Sequence, residues 1–244
     1  MSKIRLYVTD DLATGSTAAL DAKQAHYLKS VMRLGPGDEV AVFNGRDGEW
    51  RACIDGLGKR NGALSLVAQT REQRISPDLW LAFAPVKHGK PELVARAATE
   101  LGVSALLPVT TRRTVVGRVN TERLRANAVE AAEQSGRLTV PAVLEPAALE
   151  TLIDEWPPDR RLMLCDETGG GQPVARALSE QDVAAPWAVL IGPEGGFDPS
   201  ELDALGKQPI VTRVGLGPRI LRAETAAIAA LACWQALIGD WRKH

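Results

Sequence analysis

The 244-residue chain is poor in several residue types, and each shortage narrows what it can be. Cys53, Cys165 and Cys233 are its three cysteines, scattered, with no C-x-x-C pair and no histidine nearby. That pattern excludes a disulfide framework and a structural zinc site; the three are expected as small buried hydrophobes, and no metal is expected. Histidine is equally scarce: His244 closes the sequence and His26 stands alone on a helix, so no general base of the usual kind stands out. No run of about 18 apolar residues occurs, and MSKIRLYVTDDLATG carries acids where a signal peptide needs its apolar centre. Neither a membrane span nor an export signal is expected, and a cytoplasmic location follows. The formal net charge of −1 lacks the overall basic excess of a general nucleic-acid binder.

What is present is ordinary globular material, 45% hydrophobic and 24% charged, long enough for one large domain or two with cores of their own. The near-neutral total hides an asymmetry. Residues 1–137 hold 20 lysines and arginines against 15 acids, a balance of +5, and residues 138–244 hold 9 against 15, a balance of −6. A polyanion-facing first part would produce that difference, as would chance variation between solvated faces.

The first 70 residues read as β-rich. IRLYV, EVAVF, EWRACI and ALSLVAQT are short apolar or alternating runs, separated by GPGD, NGRDG and GLGKRNG. One helix interrupts them over 21–34, with Asp21 as N-cap and Ala25, Leu28, Val31 and Met32 on one face. REQRISPD, 71–78, is polar and aperiodic and reads as a linker. Beyond it strands and helices alternate: LWLAFAPV, PELVARAATELG, VSALLPV, TERLRANAVEAAEQSG, PAALETLIDEW, RLMLC and AVLI. That order calls for an α/β fold on a mainly parallel sheet. The expected domains are therefore 1–72, a small β-barrel, and 73–244, the α/β part.

Two turns leave strand ends in a way that suggests a ligand. In VLIGPEGGFDPSELDAL, 189–205, an apolar strand gives way to Gly-Pro-Glu-Gly-Gly and then to a helix with Asp198 at the cap, Pro199 at the first position and Glu201 completing a capping box. Glycines at the carboxyl end of a parallel strand allow a ligand close to the backbone. The turn lacks the lysine and hydroxyl of a phosphate loop and the spacing of a dinucleotide fingerprint, and Glu194 in its middle would repel phosphate; a neutral or cationic ligand fits better. The second turn, VGLGPRILRAETA at 214–226, leaves the strand PIVTRV and enters an alanine-rich helix over roughly 223–239, where Ile228, Leu231, Gln235 and Ile238 recur at helical spacing. Its small side chains allow another helix close, either a packing or a dimer face.

The pair GPEGG and LGPRILRAETA resembles the two cofactor motifs of the SPOUT-class methyltransferases, and HYLKSVMRLGPGDEV (26–40), ATELGV (98–103) and EQSGR (133–137) narrow the resemblance to the family that methylates N3 of a uridine in 16S ribosomal RNA, often called RsmE. The resemblance covers nearly the whole chain. It implies a PUA-like RNA-binding barrel over 1–72, a methyltransferase domain over 73–244 whose C-terminal chain is tied in a trefoil knot, S-adenosylmethionine as cofactor, a homodimer, and 16S ribosomal RNA or the assembled small subunit as partner, at the uridine usually numbered 1498. Carried onto this sequence, the cofactor residues are Leu164, Ile191, Gly192, Glu194, Gly195, Gly196, Leu216, Gly217, Leu221, Arg222, Thr225 and Ala226. Arg5, His26, Arg33, Arg112 and Arg137 are the RNA-binding candidates, and Arg5, Arg137 and Arg222 the candidates for stabilising a uracil anion. KHGKPE at 87–92 departs from the family pattern, which puts a role for Lys87 or Lys90 in doubt. Two other readings stay open: a knotted methyltransferase acting on a different RNA, and a non-catalytic RNA-binding assembly factor.

Overall fold

The computed structural model describes residues 4–85, 91–115, 118–179, 181 and 185–243. Lys87, Lys90 and His244 lie outside the described residues. Two compact units are present, one formed by residues up to Ile75 together with Val129–Val140, the other by Ser76–Ala128 and Pro141 onwards.

The first unit is a five-stranded sheet. Its elements are β1 (Arg5–Tyr7), β2 (Thr17–Leu20), α1 (Ala22–His26), β3 (Glu39–Phe43), β4 (Glu49–Leu57) and β5 (Gly62–Arg71), with strand order β1-β3-β4-β5-β2. The Asp21 carboxylate accepts from Gln24 N at 2.8 Å while the Gln24 side chain accepts from Asp21 N at 3.1 Å, a reciprocal cap that starts α1 where the sequence places it. The helix then widens into a π turn over Tyr27–Val31, in which Met32 N donates to Tyr27 O. That widening shifts the helical phase. Ala25 and Leu28 are buried as expected, but Val31 and Met32, expected on the same face, are 60% and 37% exposed. Along β3, Val40 and Val42 face a core with Leu6, Leu28, Trp50, Ile54 and Leu64. On the other side of the strand Phe43 packs with Ala132 and Leu138, so β3 is buried on both faces and loses the polar alternation of a half-exposed strand.

The second unit continues with β6 (Leu79–Phe83), α2 (Pro91–Glu100), β7 (Ala105–Thr110), α3 (Thr121–Ser135), β8 (Ala142–Val143), β9 (Ala147–Ala148), α4 (Leu149–Asp154), β10 (Arg161–Cys165), β11 (Gln172–Pro173), α5 (Val174–Ser179), β12 (Trp187–Ile191), α6 (Pro199–Gly206), β13 (Val211–Gly215) and α7 (Ala223–Leu237). The strands run in the order β11-β13-β10-β12-β6-β7-β8 and every recorded pair is parallel. Near-continuous apolar runs such as LWLAF and WAVLI are what a sheet covered on both faces demands. On one face Leu79, Leu81, Val189 and Ile191 pack with α2, α5 and α7; on the other Ala82, Leu164, Ala188 and Leu190 pack with α4 and α6.

The alanines of α7 serve this packing. Ala227, Ala230, Leu231 and Trp234 meet Val94, Ala95 and Ala98 of α2 in one cluster, so the close approach that the small side chains allow is used within the chain. Gln235, buried in this apolar company, donates to Leu101 O at 2.6 Å and accepts from Asp240 N at 3.1 Å, closing the carboxyl end of α2. Ile228, which recurs at the same helical spacing, is 38% exposed. PAALETLIDEW forms a helix only from Leu149 to Asp154, because Ala147–Ala148 pair with β7 instead.

Candidate active site

Three loops leave the carboxyl ends of three adjacent strands. β13 pairs with β10 and β10 with β12, so the loops that begin at Asp166, Gly192 and Leu216 emerge side by side. In an open parallel sheet this is the place where ligands bind. The predicted cofactor residues Leu164, Ile191, Gly192, Glu194, Gly195, Gly196, Leu216, Gly217, Leu221, Arg222, Thr225 and Ala226 all lie on these strand ends, in the second and third loops, or on the first turn of α7.

They differ in what they can offer. Leu164 and Ile191 are buried in the two cores, 0% and 3% exposed, so their backbones rather than their side chains are presented. Gly192 sits against the Phe197 ring; a Cβ there would come within 2.7 Å of it. Gly196 has φ +69°, and a side chain would enter the Glu167 carboxylate. Both turn positions therefore need glycine, one for space and one also for backbone conformation. Glu194 and Gly195 are exposed, whereas Leu216, Leu221 and Ala226 are half-buried. Arg222 is the N-cap of α7 and makes no side-chain cap bond, although its carbonyl accepts from Ala226 N at 2.8 Å. In the turn 192–196 the side chains are apolar or acidic and the donors and acceptors are backbone groups, while the third loop adds the exposed Arg219 and Arg222. Such a turn suits adenosine, a sulfonium and an amino-acid group better than a triphosphate.

The loops are braced by residues that the sequence reading did not single out. In the first, the Asp166 carboxylate is fully buried and accepts from Thr168 N at 2.9 Å, Thr168 Oγ1 at 2.7 Å and Arg213 Nη2 at 2.6 Å. Burial alone would raise its pKa, but the Thr168 bonds and Arg213 outweigh it and hold the carboxyl below the ordinary aspartate value. Glu167, next along, accepts from Phe197 N at 3.2 Å and so joins the first loop to the second. The second loop ends as the sequence predicts: Asp198 caps α6, Pro199 opens it, and Glu201 returns to Asp198 N at 2.8 Å.

Arg112, an RNA-binding candidate, is placed beside the start of α6. Its backbone N donates to Glu201 Oε1 at 2.8 Å, and its guanidinium reaches Ser200 Oγ at 2.6 Å and Glu150 Oε1 at 3.0 Å. Its side chain is engaged around the start of α6 and still 56% exposed. The adjacent Arg113 donates from Nη1 to Gly195 O at 2.9 Å and lies 3.6 Å from Asp198. Ser200's hydroxyl and amide, followed by Arg113 and Arg112, hold the Asp198 carboxyl below its ordinary pKa.

The remaining candidates belong to the first unit. Arg5, expected to face RNA or uracil, is instead turned inward. Its Nε meets Glu49 Oε2 at 2.6 Å, Nη1 donates to Ala132 O and Glu133 O at 2.8 Å each, and Nη2 donates to Arg137 O at 2.6 Å. The guanidinium also lies 4.5 Å from the centre of the Phe43 ring. Arg71, bonded to Gly136 O at 2.8 Å, shares Glu49 with it. Together these two arginines satisfy carbonyls at the carboxyl end of α3, which a helix leaves without internal partners. Arg137 is half-buried and donates to Thr139 Oγ1 at 2.9 Å. His26 is exposed, 3.2 Å from Ser30 Oγ, and Arg33 is exposed with φ +59°, a left-handed conformation that a non-glycine residue adopts at a cost. Lys23, Lys29 and the exposed ring of Tyr27 lie with His26 in the helical segment that precedes Arg33. Among the described residues no group of acids, cysteines and histidines could hold a metal, and no helix is long and apolar enough to cross a membrane.

Residues 73–235 match the RNA methyltransferase domain family, and residues 20–66 match the RNA methyltransferase PUA domain. The chain is 37% identical to ribosomal RNA small subunit methyltransferase E of Rickettsia conorii, over 93% of each chain, and 34% identical to the protein of the same name from Synechocystis, over 96% of this chain and 78% of that one. Among solved structures it resembles ribosomal RNA small subunit methyltransferase E from Neisseria gonorrhoeae bound to S-adenosylmethionine, at 27% identity and a TM-score of 0.86, over 98% of this chain and 99% of that one. A methyltransferase from Legionella pneumophila in complex with S-adenosylmethionine is 28% identical, with a TM-score of 0.85, over 96% of this chain and 97% of that one. With sequence matches that span both parts of the chain, it belongs to the ribosomal RNA small subunit methyltransferase E family.

Proposed function

We propose that this protein transfers a methyl group from S-adenosylmethionine to N3 of a uridine in 16S ribosomal RNA, the position usually numbered 1498. The observation that carries this reading is the set of three loops on adjacent strands, with glycines where side chains would collide and no basic residue in the turn 192–196. Two relatives of the same fold hold S-adenosylmethionine. The cofactor, when bound, supplies an electrophilic methyl on a positively charged sulfur. The residues that would hold it are the backbones from Ile191 to Gly196 and from Leu216 to Leu221, with Leu221 and Ala226 as apolar walls and Glu194 near the positive charge.

Transfer from sulfur to nitrogen needs in-line alignment more than covalent help, so positioning by rigid loops supplies most of the acceleration. The uracil must lose its N3 proton, and Arg222, exposed beside the third loop, is the group proposed to stabilise the resulting anion. The residues that lead into the third loop pass through a trefoil knot in this reading, supported by the position of β10 and β13 beyond β12 in the sheet. The first unit is proposed as the RNA-binding barrel, with His26, Arg33, Lys23 and Lys29 as its contact surface. A cytoplasmic homodimer completes the proposal.

The test is nucleoside mass spectrometry of 16S RNA from small subunits lacking the modification, after incubation with the protein and methyl-labelled S-adenosylmethionine. Label in N3-methyluridine is the expected result. Label in another nucleoside would replace the proposed target, and bound cofactor without transfer would favour a binding role.

A further inference from the structure

The second glycine turn is not self-supporting. Among the described residues, the backbone bond recorded within it runs from Gly196 N to Pro193 O at 2.9 Å, and the carbonyl of Gly195 accepts from outside the turn. That carbonyl accepts from Arg113 Nη1 at 2.9 Å, while Arg113 Nη2 lies 3.6 Å from the Asp198 carboxylate that caps α6. One guanidinium thus touches both ends of the segment Gly195–Asp198. It is delivered by a loop that is itself fixed: Thr111 N donates to Thr114 Oγ1 at 2.9 Å, and Arg112 N donates to the Glu201 carboxylate at 2.8 Å. From the first loop Glu167 accepts from Phe197 N. The turn is therefore held between one cation and one anion from two other loops.

We infer that Arg113 is a positioning residue for cofactor binding: it fixes the Gly195 peptide, and through it the conformation of the turn that receives S-adenosylmethionine. The inference rests on the assignment of that turn to the cofactor and adds the residue that shapes it. Arginine suits the task because a planar fork can bond a carbonyl and a carboxylate at once, whereas a lysine presents a compact ammonium that satisfies one well and the other poorly. With the guanidinium removed, the Gly195 carbonyl turns to water, and the free protein samples turn conformations that cannot bind. Affinity falls by the fraction of molecules that remain competent.

Calorimetric titration of S-adenosylmethionine into Arg113→Ala and Arg113→Lys, without RNA, tests this. The expected result is a dissociation constant raised about tenfold in R113A, the worth of one charge-assisted bond, with R113K recovering part of the loss. Affinity of the same proteins for a 16S RNA fragment should stay within about twofold of wild type. Thermal unfolding of R113A and R113K establishes that both are folded, which the partly exposed side chain favours. Unchanged cofactor affinity in both variants overturns the inference, as does a loss confined to RNA affinity, which would make Arg113 a phosphate contact. Failure of the wild-type protein itself to bind S-adenosylmethionine would refute the site assignment and is read separately from either.

Discussion

Removing Arg5 should unfasten the carboxyl end of α3. In Arg5→Met the aliphatic packing near Phe43 is kept, but the carbonyls of Ala132, Glu133 and Arg137 lose their donor and Glu49 loses its 2.6 Å partner. The Arg5 and Glu49 side chains are 12% and 9% exposed, so water cannot readily replace what is lost. Breaking a buried pair by deleting one partner costs about 3–5 kcal/mol. Arg71 still reaches Glu49 at 3.4 Å, which places the expected loss near the lower end, about 3 kcal/mol. Urea unfolding measures the total, and hydrogen exchange locates it: amides in 129–140 should lose protection before the β6–β7–β12 centre does. Arg5→Met combined with Glu49→Leu should be more stable than Arg5→Met alone, because the stranded carboxylate is gone. The reasoning is refuted if Arg5→Met stays within about 1 kcal/mol of wild type while methyl transfer collapses, a result that would return Arg5 to the RNA or the uracil.

Three further outcomes are expected. Gly196→Ala forces a side chain into a left-handed position and against Glu167, so S-adenosylmethionine affinity in calorimetry should fall at least about tenfold, with about 1–2 kcal/mol of stability lost; affinity equal to wild type would contradict the described turn. Burial raises the Glu133 carboxyl above its ordinary 4.5, despite the Tyr7 amide and Arg5, so its contribution to stability is complete below that value and is lost as pH rises through the elevated one. Urea midpoints measured from about pH 4 to 7 should therefore carry a falling component that Glu133→Gln removes, and identical pH profiles would count against the burial argument. Gln235→Leu leaves Leu101 O without its 2.6 Å donor and should cost about 1–3 kcal/mol in urea unfolding; a neutral result would mean that water replaces the amide.

Patterns that act locally could be read directly from the residues. The capping boxes at Asp21 and Asp198, proline at the first position of α2 and α6, and the apolar runs of β6, β7, β10 and β12 depend on neighbours within a few positions, and each forms as expected. β2, β8, β9, β11 and α5 were not foreseen; none is longer than six residues, and the strands exist because a partner strand offers its edge. Val31 and Met32 were misplaced because the π turn changes the period within one helix. At the site, glycine turns announce themselves by composition, but their braces do not. Arg113, Glu167, Asp166 and Arg213 are ordinary charges until the fold brings them to Gly195, Phe197 and one another across 82, 30 and 47 residues of sequence. Arg5 shows the converse: motif likeness marks it as important, and only the coordinates show that it serves a helix end.

The helix α3 contributes its first eight residues to one compact unit and its remainder to the other. During synthesis the first unit therefore stays incomplete well after its last strand has been made. The five strands of the first sheet are all made by Arg71, yet Phe43 lacks the cover of Ala132 and Leu138, and Arg5 and Arg71 have no carbonyls to meet, until residues 129–140 have been added. At about 5–20 residues per second the gap from Ile75 to Val140 leaves the nascent sheet unfinished for roughly 3–13 s. An expression fragment ending at residue 75 would remain in that state permanently, with an apolar face and two arginines awaiting the carbonyls of a helix that never arrives.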